Sequence, residues 1–304
     1  MRPRYAGRPL VLVLGTALLL GLAACSPAAP GSASPSAAIR FASYDFPENQ
    51  TLVEVYAEAA RRRGLPVTVQ HGIGTREVVA PALQQRVVDV VVDYLGTALQ
   101  FARPTDTDLP RVPDQMYAVL QRTLAGRGVD VLQPAGAQDQ NGFAVSKEFA
   151  TARGVDSLSD LAPLAPRLVF GGPPECRDRP LCLPGLETTY GLRFAQVVAM
   201  PPSRVATVEA LVTGQIDVGL LETTDPRLAT GPVVLLRDDR GLQPPENVVP
   251  MVGTAALDRW GGELRTALDE VSARLTTADL VRLNGLVEKG LTPAEAAAKW
   301  WDAR

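Results

Sequence analysis

A helix–strand–helix unit in residues 72–101 constrains the fold of this chain more than any other stretch. Its middle, residues 87–94, is rich in β-branched side chains and is apolar on both faces apart from two aspartates, a pattern typical of a central strand covered on both sides. Tyr94 and Thr97 follow the end of this strand, where open α/β sheets gather their ligands. We therefore treat both as binding candidates; a tyrosine packed beneath a loop is the alternative.

The residues before this unit continue the same alternation of strands and helices. Residues 39–43 and 67–70 are predicted strands, and the helix between them begins where Asp45 and Glu48 have the spacing of a capping box. The helix that precedes the central strand is predicted to carry Val78, Val79 and Leu83 on one face. Strand, helix, strand in this rhythm predicts a parallel sheet with crossover helices, and thus an α/β fold.

Composition excludes several classes of function. The chain has 304 residues, of which 46% are hydrophobic, and a net charge of −3, so it can form a sizeable core and has no basic patch for nucleic acid.

A Gly72-x-Gly74 pair follows a strand and precedes a helix, but Glu77 stands where a dinucleotide fingerprint has its third glycine. We expect no cofactor.

The first 38 residues carry targeting features. Three arginines precede an apolar run at residues 10–22, which is too short to favour a membrane-spanning helix. The run ends in Leu-Ala-Ala-Cys, which resembles a bacterial lipobox. Residues 1–25 are therefore predicted to be a lipoprotein signal peptide with Cys25 as the lipidated residue; an ordinary signal peptide is the alternative. Residues 26–38 contain small residues and proline alone and predict a flexible tether.

Two further cysteines, Cys176 and Cys182, stand close together in the segment ECRDRPLC. Outside the cytoplasm, such a pair predicts a local disulfide. A metal site is the alternative, but it would need more cysteine or histidine ligands, and the chain has one histidine, His71. We expect no metal site.

Several segments, taken in order, resemble the motifs of one protein family. They are VVDVVVDYLGTAL at residues 87–99, FPEN at 46–49, NGFAV at 141–145, ECRDRPLCLPGLETTYGL at 175–192, ETTD at 222–225 and PPENVVP at 244–250. Together they resemble the osmoprotectant-type substrate-binding proteins of ABC importers, the binders of glycine betaine, carnitine and choline. The resemblance extends from residue 39 to the final helix.

This resemblance implies a periplasmic-binding-protein-like fold, in which two α/β lobes enclose a ligand cleft and close by a hinge. Residues 39–138 and 246–304 are expected to form lobe I, with the C-terminal helices returning to it, and residues 139–245 to form lobe II. The implied partners are a small-molecule solute and the permease and ATPase subunits of an ABC importer. The implied location is the outer face of the bacterial cytoplasmic membrane, where a lipid anchor holds a monomer.

The resemblance also supplies candidate ligand contacts. They are Tyr44, Asn49, Tyr94, Thr97, Phe143, Arg179, Glu222 and Glu246. Betaine-binding relatives surround a quaternary ammonium with four tyrosines through cation–π attraction. Two of those positions are aromatic here, Tyr94 and Phe143, and two are glutamates. Arg179 matches the arginine that holds the ligand carboxylate in betaine binders. Glutamates favour a cation with N–H or O–H donors, so the predicted ligand is a small cationic or zwitterionic solute.

Other interpretations stay open at this point. Phe143 is equally a core residue on a strand, and Arg179 is equally a loop residue paired with a neighbouring carboxylate. Glu222 and Glu246 either contact the ligand, pair with arginines at the rim, or select a non-betaine polar solute within the same fold. An enzyme that uses them as paired carboxylates is a remote alternative, because the chain has no nucleophile elbow, phosphate loop or metal-ligand cluster, and we expect no catalytic residue. A lipoprotein that senses or scaffolds is a further class.

Overall fold

The computed structural model describes residues 38–106, 109–201 and 204–303. The helices and strands follow in chain order as β1 (Ile39–Ala42), α1 (Pro47–Arg62), β2 (Val67–Gln70), α2 (Arg76–Gln84), β3 (Val90–Tyr94), α3 (Leu95–Ala102), α4 (Pro113–Ala125), β4 (Val129–Val131), β5 (Asn141–Ser146), α5 (Lys147–Arg153), β6 (Val169–Gly172), α6 (Leu183–Tyr190), β7 (Gln196–Ala199), α7 (Arg204–Val212), β8 (Val218–Glu222), α8 (Arg227–Thr230), β9 (Val233–Leu235), β10 (Val248–Gly253), α9 (Thr254–Arg274), α10 (Thr277–Glu288) and α11 (Pro293–Asp302). The predicted signal peptide, the lipidation site Cys25 and nearly all of the tether lie outside the described residues.

Two five-stranded mixed sheets organise the described chain. The first has the strand order β2-β1-β3-β10-β4, in which β1 is parallel to β2 and β3, and β10 is antiparallel to both its neighbours. The second has the order β7-β6-β8-β5-β9, with β6 parallel to β7 and β8, and β5 antiparallel to β8 and β9. The predicted α/β fold with two lobes is confirmed.

The chain passes between the sheets twice. It leaves the first sheet after β4 and enters the second at β5, and it returns between β9 and β10. An isolated bridge between Gln138 and Asn247 holds the two connections side by side. The predicted exchange points near residues 138 and 245 fall inside these connections. The exact boundaries between 138 and 139 and between 245 and 246 stay a prediction.

Both faces of the first sheet are covered, as the apolar run of β3 predicts. Ile39, Phe41 and Val92 pack on one face against α1 and the C-terminal helices, while Val91 packs on the other against α2, α3 and α4. The indole Nε1 of Trp301 donates to the carbonyl oxygen of Val55 at 3.0 Å and so fastens α11 to α1. The C-terminal helices therefore return to the first sheet, as predicted. No helix within the described residues is long and apolar enough to span a membrane.

Three local predictions are wrong. The central strand begins at Val90 rather than at residue 87, because the side chain of Asp89 pairs with Arg40 at 2.7 Å and Val87 is left 56% exposed in the connection. Of the three residues predicted to share one face of α2, Val79 and Leu83 are buried, but Val78 is exposed.

The third wrong prediction is the capping box at α1. Phe46 is the N-cap residue there, and no side-chain hydrogen bond caps the helix. Glu48 is buried and bonds to groups outside the helix, as described below. The sequence Thr-Pro-Ala-Glu at residues 292–295 predicts a capping box at α11, and this prediction is confirmed, since Thr292 Oγ1 accepts from the backbone N–H of Glu295 at 3.2 Å. Ser203, whose residue type and position in the sequence predict the N-cap of α7, lies outside the described residues.

We expect Trp300→Ala to be the more destabilising of two apolar truncations. Trp300 is 1% exposed between α11 and the core of the first sheet, and deleting a buried indole removes roughly 3–5 kcal/mol from the free energy of unfolding. Urea unfolding checks this value. Val212→Ala is the control, because Val212 is 51% exposed on α7 and its truncation should change stability by less than about 0.5 kcal/mol. Equal losses in the two variants would contradict this packing.

Candidate ligand-binding cleft

A cavity of about 640 Å³ lies between the two sheets. The first sheet and its helices contribute Phe46, Glu48, Arg76, Tyr94 and Thr97; the second contributes Arg179, Arg204, Leu220 and Glu222; the connections and α10 contribute Asp139, Gln140, Glu246, Asn284 and Glu288. Tyr94 and Glu222 are the last residues of the central strands β3 and β8. The cleft is therefore at the carboxyl ends of these strands, where open α/β sheets gather ligands.

The lining is strongly acidic. Nine carboxylates face three arginines. Six of the nine lie in ion pairs: Glu48, Glu77, Asp139, Glu175, Glu222 and Glu288. Asp45 and Asp178 are exposed to solvent. Glu246 is 2% exposed and has no ion pair within the described residues. Such an excess of carboxylates favours a positively charged ligand.

Arg204, the first residue of α7, holds three of the carboxylates together. Its Nε donates to Glu222 at 3.0 Å, its Nη2 donates to Glu48 at 3.1 Å, and Asp139 is 3.6 Å from the same Nη2. The guanidinium is 12% exposed, so its charge acts through a protein medium of low dielectric constant. The ion pair with Glu48 also joins α7 of the second lobe to α1 of the first.

Glu48 receives hydrogen bonds from several elements. Oε1 accepts from the Tyr94 hydroxyl at 2.6 Å, and Oε2 accepts from Thr224 Oγ1 and from Asn284 Nδ2, each at 2.5 Å. Burial opposes the ionisation of Glu48, but Arg204 and these donors outweigh it, and the pKa of Glu48 is lowered. Burial and the charge of Glu48 raise the pKa of Asp139 well above its ordinary value.

Thr97 and Glu246 form the second polar group in the cleft. The backbone N–H of Thr97 donates to Oε2 of Glu246 at 2.9 Å, and the Thr97 hydroxyl donates to Oε1 at 2.5 Å. The glutamate thus caps the first turn of α3 from a distant connection. Gly96 permits this approach, because a Cβ there would lie 2.5 Å from Cγ of Pro244. Burial is the main cause that raises the pKa of Glu246 to about 7.

Tyr44 and Asn49 brace the cleft from behind and do not line it. The Tyr44 hydroxyl donates to Asp93 at 2.5 Å, and Asp93 forms an ion pair with Arg76 at 2.6 Å. Asn49 Oδ1 accepts from the backbone N–H of Tyr44, and its Nδ2 donates to Val92 O, both at 2.8 Å. Arg76 is held above the Tyr44 ring at 4.8 Å and lines the cavity. Tyr44, a predicted ligand contact, is thus not part of the cavity lining.

Phe143 also lies behind the cavity rather than on its surface. It is 2% exposed and packs against Phe170, with ring centroids 6.2 Å apart. This position agrees with the alternative interpretation of Phe143 as a core residue on a strand. The aromatic residues that line the cleft are instead Phe46, Tyr94 and Phe101, and the rings of Phe46 and Tyr94 stack at 6.2 Å and 28°.

Arg179 lies in the loop that the disulfide closes. Cys176 and Cys182 are bonded, with their Cα atoms 5.2 Å apart, so the predicted disulfide is confirmed. One guanidinium nitrogen of Arg179 is 3.6 Å from Glu77, and another is 3.7 Å from Glu175. Its side chain is 32% exposed and lines the cavity. It faces the cleft as predicted, but two carboxylates already neutralise it.

Sequence reasoning missed four of the charged groups that shape the cleft: Glu48, Arg76, Asp139 and Arg204. The spacing of Glu48 from Asp45 suggested a role in helix capping and not in the cleft. Asp139 lies in the connection between β4 and β5, where the sequence shows no periodicity or motif that predicts a site. One signal was present for Arg76, because Asp93 interrupts a buried strand and a buried carboxylate requires a partner. Nothing in the sequence pairs Arg204 with Glu48, which is 156 positions away.

Arg204→Met should destabilise the protein by roughly 3–5 kcal/mol at pH 8, because it leaves three neighbouring carboxylates without their common cation. The loss should shrink at pH 5, where these carboxylates take up protons. Chemical unfolding at the two pH values measures both effects. Arg193→Met is the control, since Arg193 pairs with Glu187 on the surface with 79% of its side chain exposed. A loss independent of pH would argue against the charge cluster.

Glu246→Gln should stabilise the ligand-free protein by roughly 1–3 kcal/mol at pH 8. The folded pKa of about 7 exceeds the ordinary value of 4.5, so stability is lost as pH rises and Glu246 ionises in its buried position. Glutamine keeps an oxygen for the Thr97 N–H and carries no charge. Thermal unfolding should show a higher Tm for the variant at pH 8 and nearly equal values at pH 5. The exposed replacement Glu148→Gln should leave Tm unchanged at both.

Comparison with known proteins agrees with this geometry. Residues 37–303 match the OpuAC family, described as the substrate binding domain of the ABC-type glycine betaine transport system. The glycine-betaine-binding protein of Pseudomonas aeruginosa is 27% identical over 270 residues, which cover 86% of each chain. The carnitine transport binding protein OpuCC of Listeria monocytogenes is 23% identical over 288 residues, 93% of this chain and 91% of that protein.

A solved structure described as a glycine betaine/carnitine/choline ABC transporter superimposes with a TM-score of 0.70 at 23% identity, and the match covers 87% of this chain and 98% of the other. At this identity the likeness shows the fold. The family match, in contrast, spans nearly the whole described chain. The protein therefore belongs to the family of substrate-binding domains of ABC-type glycine betaine transport systems.

Proposed function

We propose that this protein is the extracytoplasmic receptor of an ABC importer that captures a small organic cation or zwitterion in the cleft between its lobes. The excess of nine lining carboxylates over three arginines carries the proposal. Low-dielectric walls strengthen the field of such a cleft and concentrate cations within it. A cavity of about 640 Å³ accommodates a solute of this size with its hydration largely removed.

The ligands of the relatives support this class and leave a choice within it. Glycine betaine, carnitine and choline appear in the descriptions of similar proteins, and each carries a quaternary ammonium. In this chain, Glu222 and Glu246 stand where the resemblance places two tyrosines of a cation box. A second candidate is therefore a polar cation other than a betaine, because a carboxylate accepts hydrogen bonds from N–H and O–H groups, and a quaternary ammonium nitrogen has no N–H.

The remaining parts of the proposal concern delivery. The two connections around Gln138 and Asn247 serve as the hinge, and closure presents the loaded protein to permease and ATPase subunits. Lipidation at Cys25 holds the protein, as a monomer, at the outer face of the bacterial cytoplasmic membrane. It acts as a receptor and not as an enzyme.

A thermal-shift screen tests the ligand class. The panel contains glycine betaine, choline, carnitine, proline betaine, ergothioneine, polyamines, amino acids and sugars. A ligand that binds the folded state alone adds about 2.7 kcal/mol of stability at one hundred times its Kd. We expect cations or zwitterions to raise the Tm in proportion to the logarithm of their concentration.

Sugars and anionic amino acids are the negative controls. Sugars carry no positive charge for the carboxylates to attract. Anionic amino acids are repelled by the carboxylates, and each of the three arginines that line the described cleft is already paired with a carboxylate. A Tm shift with these compounds alone, or no shift with any cation at millimolar concentration, would contradict the proposed function. Isothermal titration then gives the Kd of each compound that shifts the Tm.

A further inference from the structure

Glu246 differs from every other carboxylate in the cleft. It is almost fully buried, it lines the cavity, and no arginine or lysine of the described chain forms an ion pair with it, although the charge of Arg76 acts on it from farther away. Its two hydrogen bonds both come from Thr97, one to each oxygen. A carboxylate has about four lone-pair positions, so each oxygen keeps one acceptor position for another donor. A buried charge without an ion-pair partner is costly, and a cationic ligand in contact with the carboxylate would lower that cost.

The other glutamate of the pair has a different role. Glu222 is bound by Nε of Arg204 at 3.0 Å, and the same guanidinium also binds Glu48. The charge of Glu222 is therefore already paired with an arginine of the protein. The two glutamates that replace box tyrosines are not equivalent, because one is satisfied by the protein and the other is left for a ligand.

Little aromatic surface remains to hold a quaternary ammonium. Phe143 is behind the cavity, and the aromatic lining, which consists of Phe46, Tyr94 and Phe101, comes from the first sheet and its helices alone. The Tyr94 hydroxyl is bonded to Glu48. Cation–π attraction from a single wall still favours any cation, but it does not distinguish a methylated nitrogen from a protonated one. The carboxylate of Glu246 does, since it gains a charge-assisted hydrogen bond from N–H alone.

We propose that Glu246 binds the cationic group of the ligand and that this group is a protonated amine with at least one N–H, rather than a quaternary ammonium. This inference rests on the proposed function of the cleft. It identifies Glu246 as the residue that determines specificity and assigns Glu222 to Arg204.

The proposal has a signature in the pH dependence of binding. Burial is the main cause that raises the pKa of Glu246 to about 7, and the negative charge of Asp93 on β3 raises this pKa further. The hydrogen bonds from Thr97 and the positive charge of Arg76 on α2 act in the opposite direction and lower the pKa. The ionised form binds the amine, so affinity falls as Glu246 is protonated below neutral pH. A single group with this pKa predicts a Kd about tenfold weaker at pH 6 than at pH 8.

The experiment is isothermal titration of the full protein with ethanolamine, N-methylethanolamine, N,N-dimethylethanolamine and choline. All four are singly charged cations between pH 6 and pH 8, and they differ in the number of N–H donors. We expect a loss of affinity of about tenfold or more at the last methylation, which removes the final N–H. In wild-type protein, the Kd of N,N-dimethylethanolamine should also weaken about tenfold from pH 8 to pH 6.

Glu246→Gln should weaken binding of N,N-dimethylethanolamine at pH 8 by about tenfold or more, bring its Kd near that of choline, and remove the pH dependence. Glu222→Gln should weaken it less. The surface variant Glu148→Gln should keep the wild-type values. Choline bound as tightly as N,N-dimethylethanolamine, equal losses in the two cleft variants, or a pH dependence that persists in Glu246→Gln would each overturn the inference.

Those outcomes are distinct from a failure of the proposed function. Binding of choline or glycine betaine without the N–H preference overturns the role of Glu246 and leaves the receptor function intact. Binding of none of the cations or zwitterions overturns both.

Discussion

The guanidinium group of Arg204 allows three carboxylates to share the interior of one cleft. Glu48 and Asp139 are almost completely removed from water, and without a common cation their mutual repulsion and desolvation would oppose folding. The arginine lowers that cost for Glu48, whose pKa is lowered, while burial and the charge of Glu48 raise the pKa of Asp139 well above its ordinary value. Because Arg204 belongs to one lobe and Glu48 to the other, this cluster also sets how the two lobes face each other.

The fold explains why these groups meet. The central strands of both sheets end at the cleft, so Tyr94 and Glu222 arrive there from different lobes. The two connections run alongside each other and add Asp139 and Glu246 from the side. Packing on both faces of each sheet holds the strand ends in position. The site is therefore built from residues distant in sequence on rigid supports, a geometry suited to precise recognition of a small solute.

Two carboxylate environments with opposite properties coexist in this cleft. Around Arg204, the protein supplies both the charge and its partner, and several donors complete the hydrogen bonding. Around Glu246, the protein supplies two donors but no ion pair within the described residues, and burial raises the pKa of this group to about 7. Stability would favour a neutral residue at the second position. A charge retained in spite of this cost is characteristic of binding sites, where stability and function compete.

The sequence by itself determined the alternation of strands and helices, the buried central strand, the local disulfide and the family, because these depend on periodicity, spacing and ordered motifs. It also identified Tyr94, Thr97, Arg179, Glu222 and Glu246, all of which line the cleft. Tyr44, Asn49 and Phe143 lie behind it, since a residue next to a ligand-facing loop points inward or outward according to packing that no motif specifies. The tertiary structure alone decided the partners of the charges. An ion pair between Glu48 and Arg204 depends on how the two lobes position these side chains. The local sequence around either residue does not determine the distance between them.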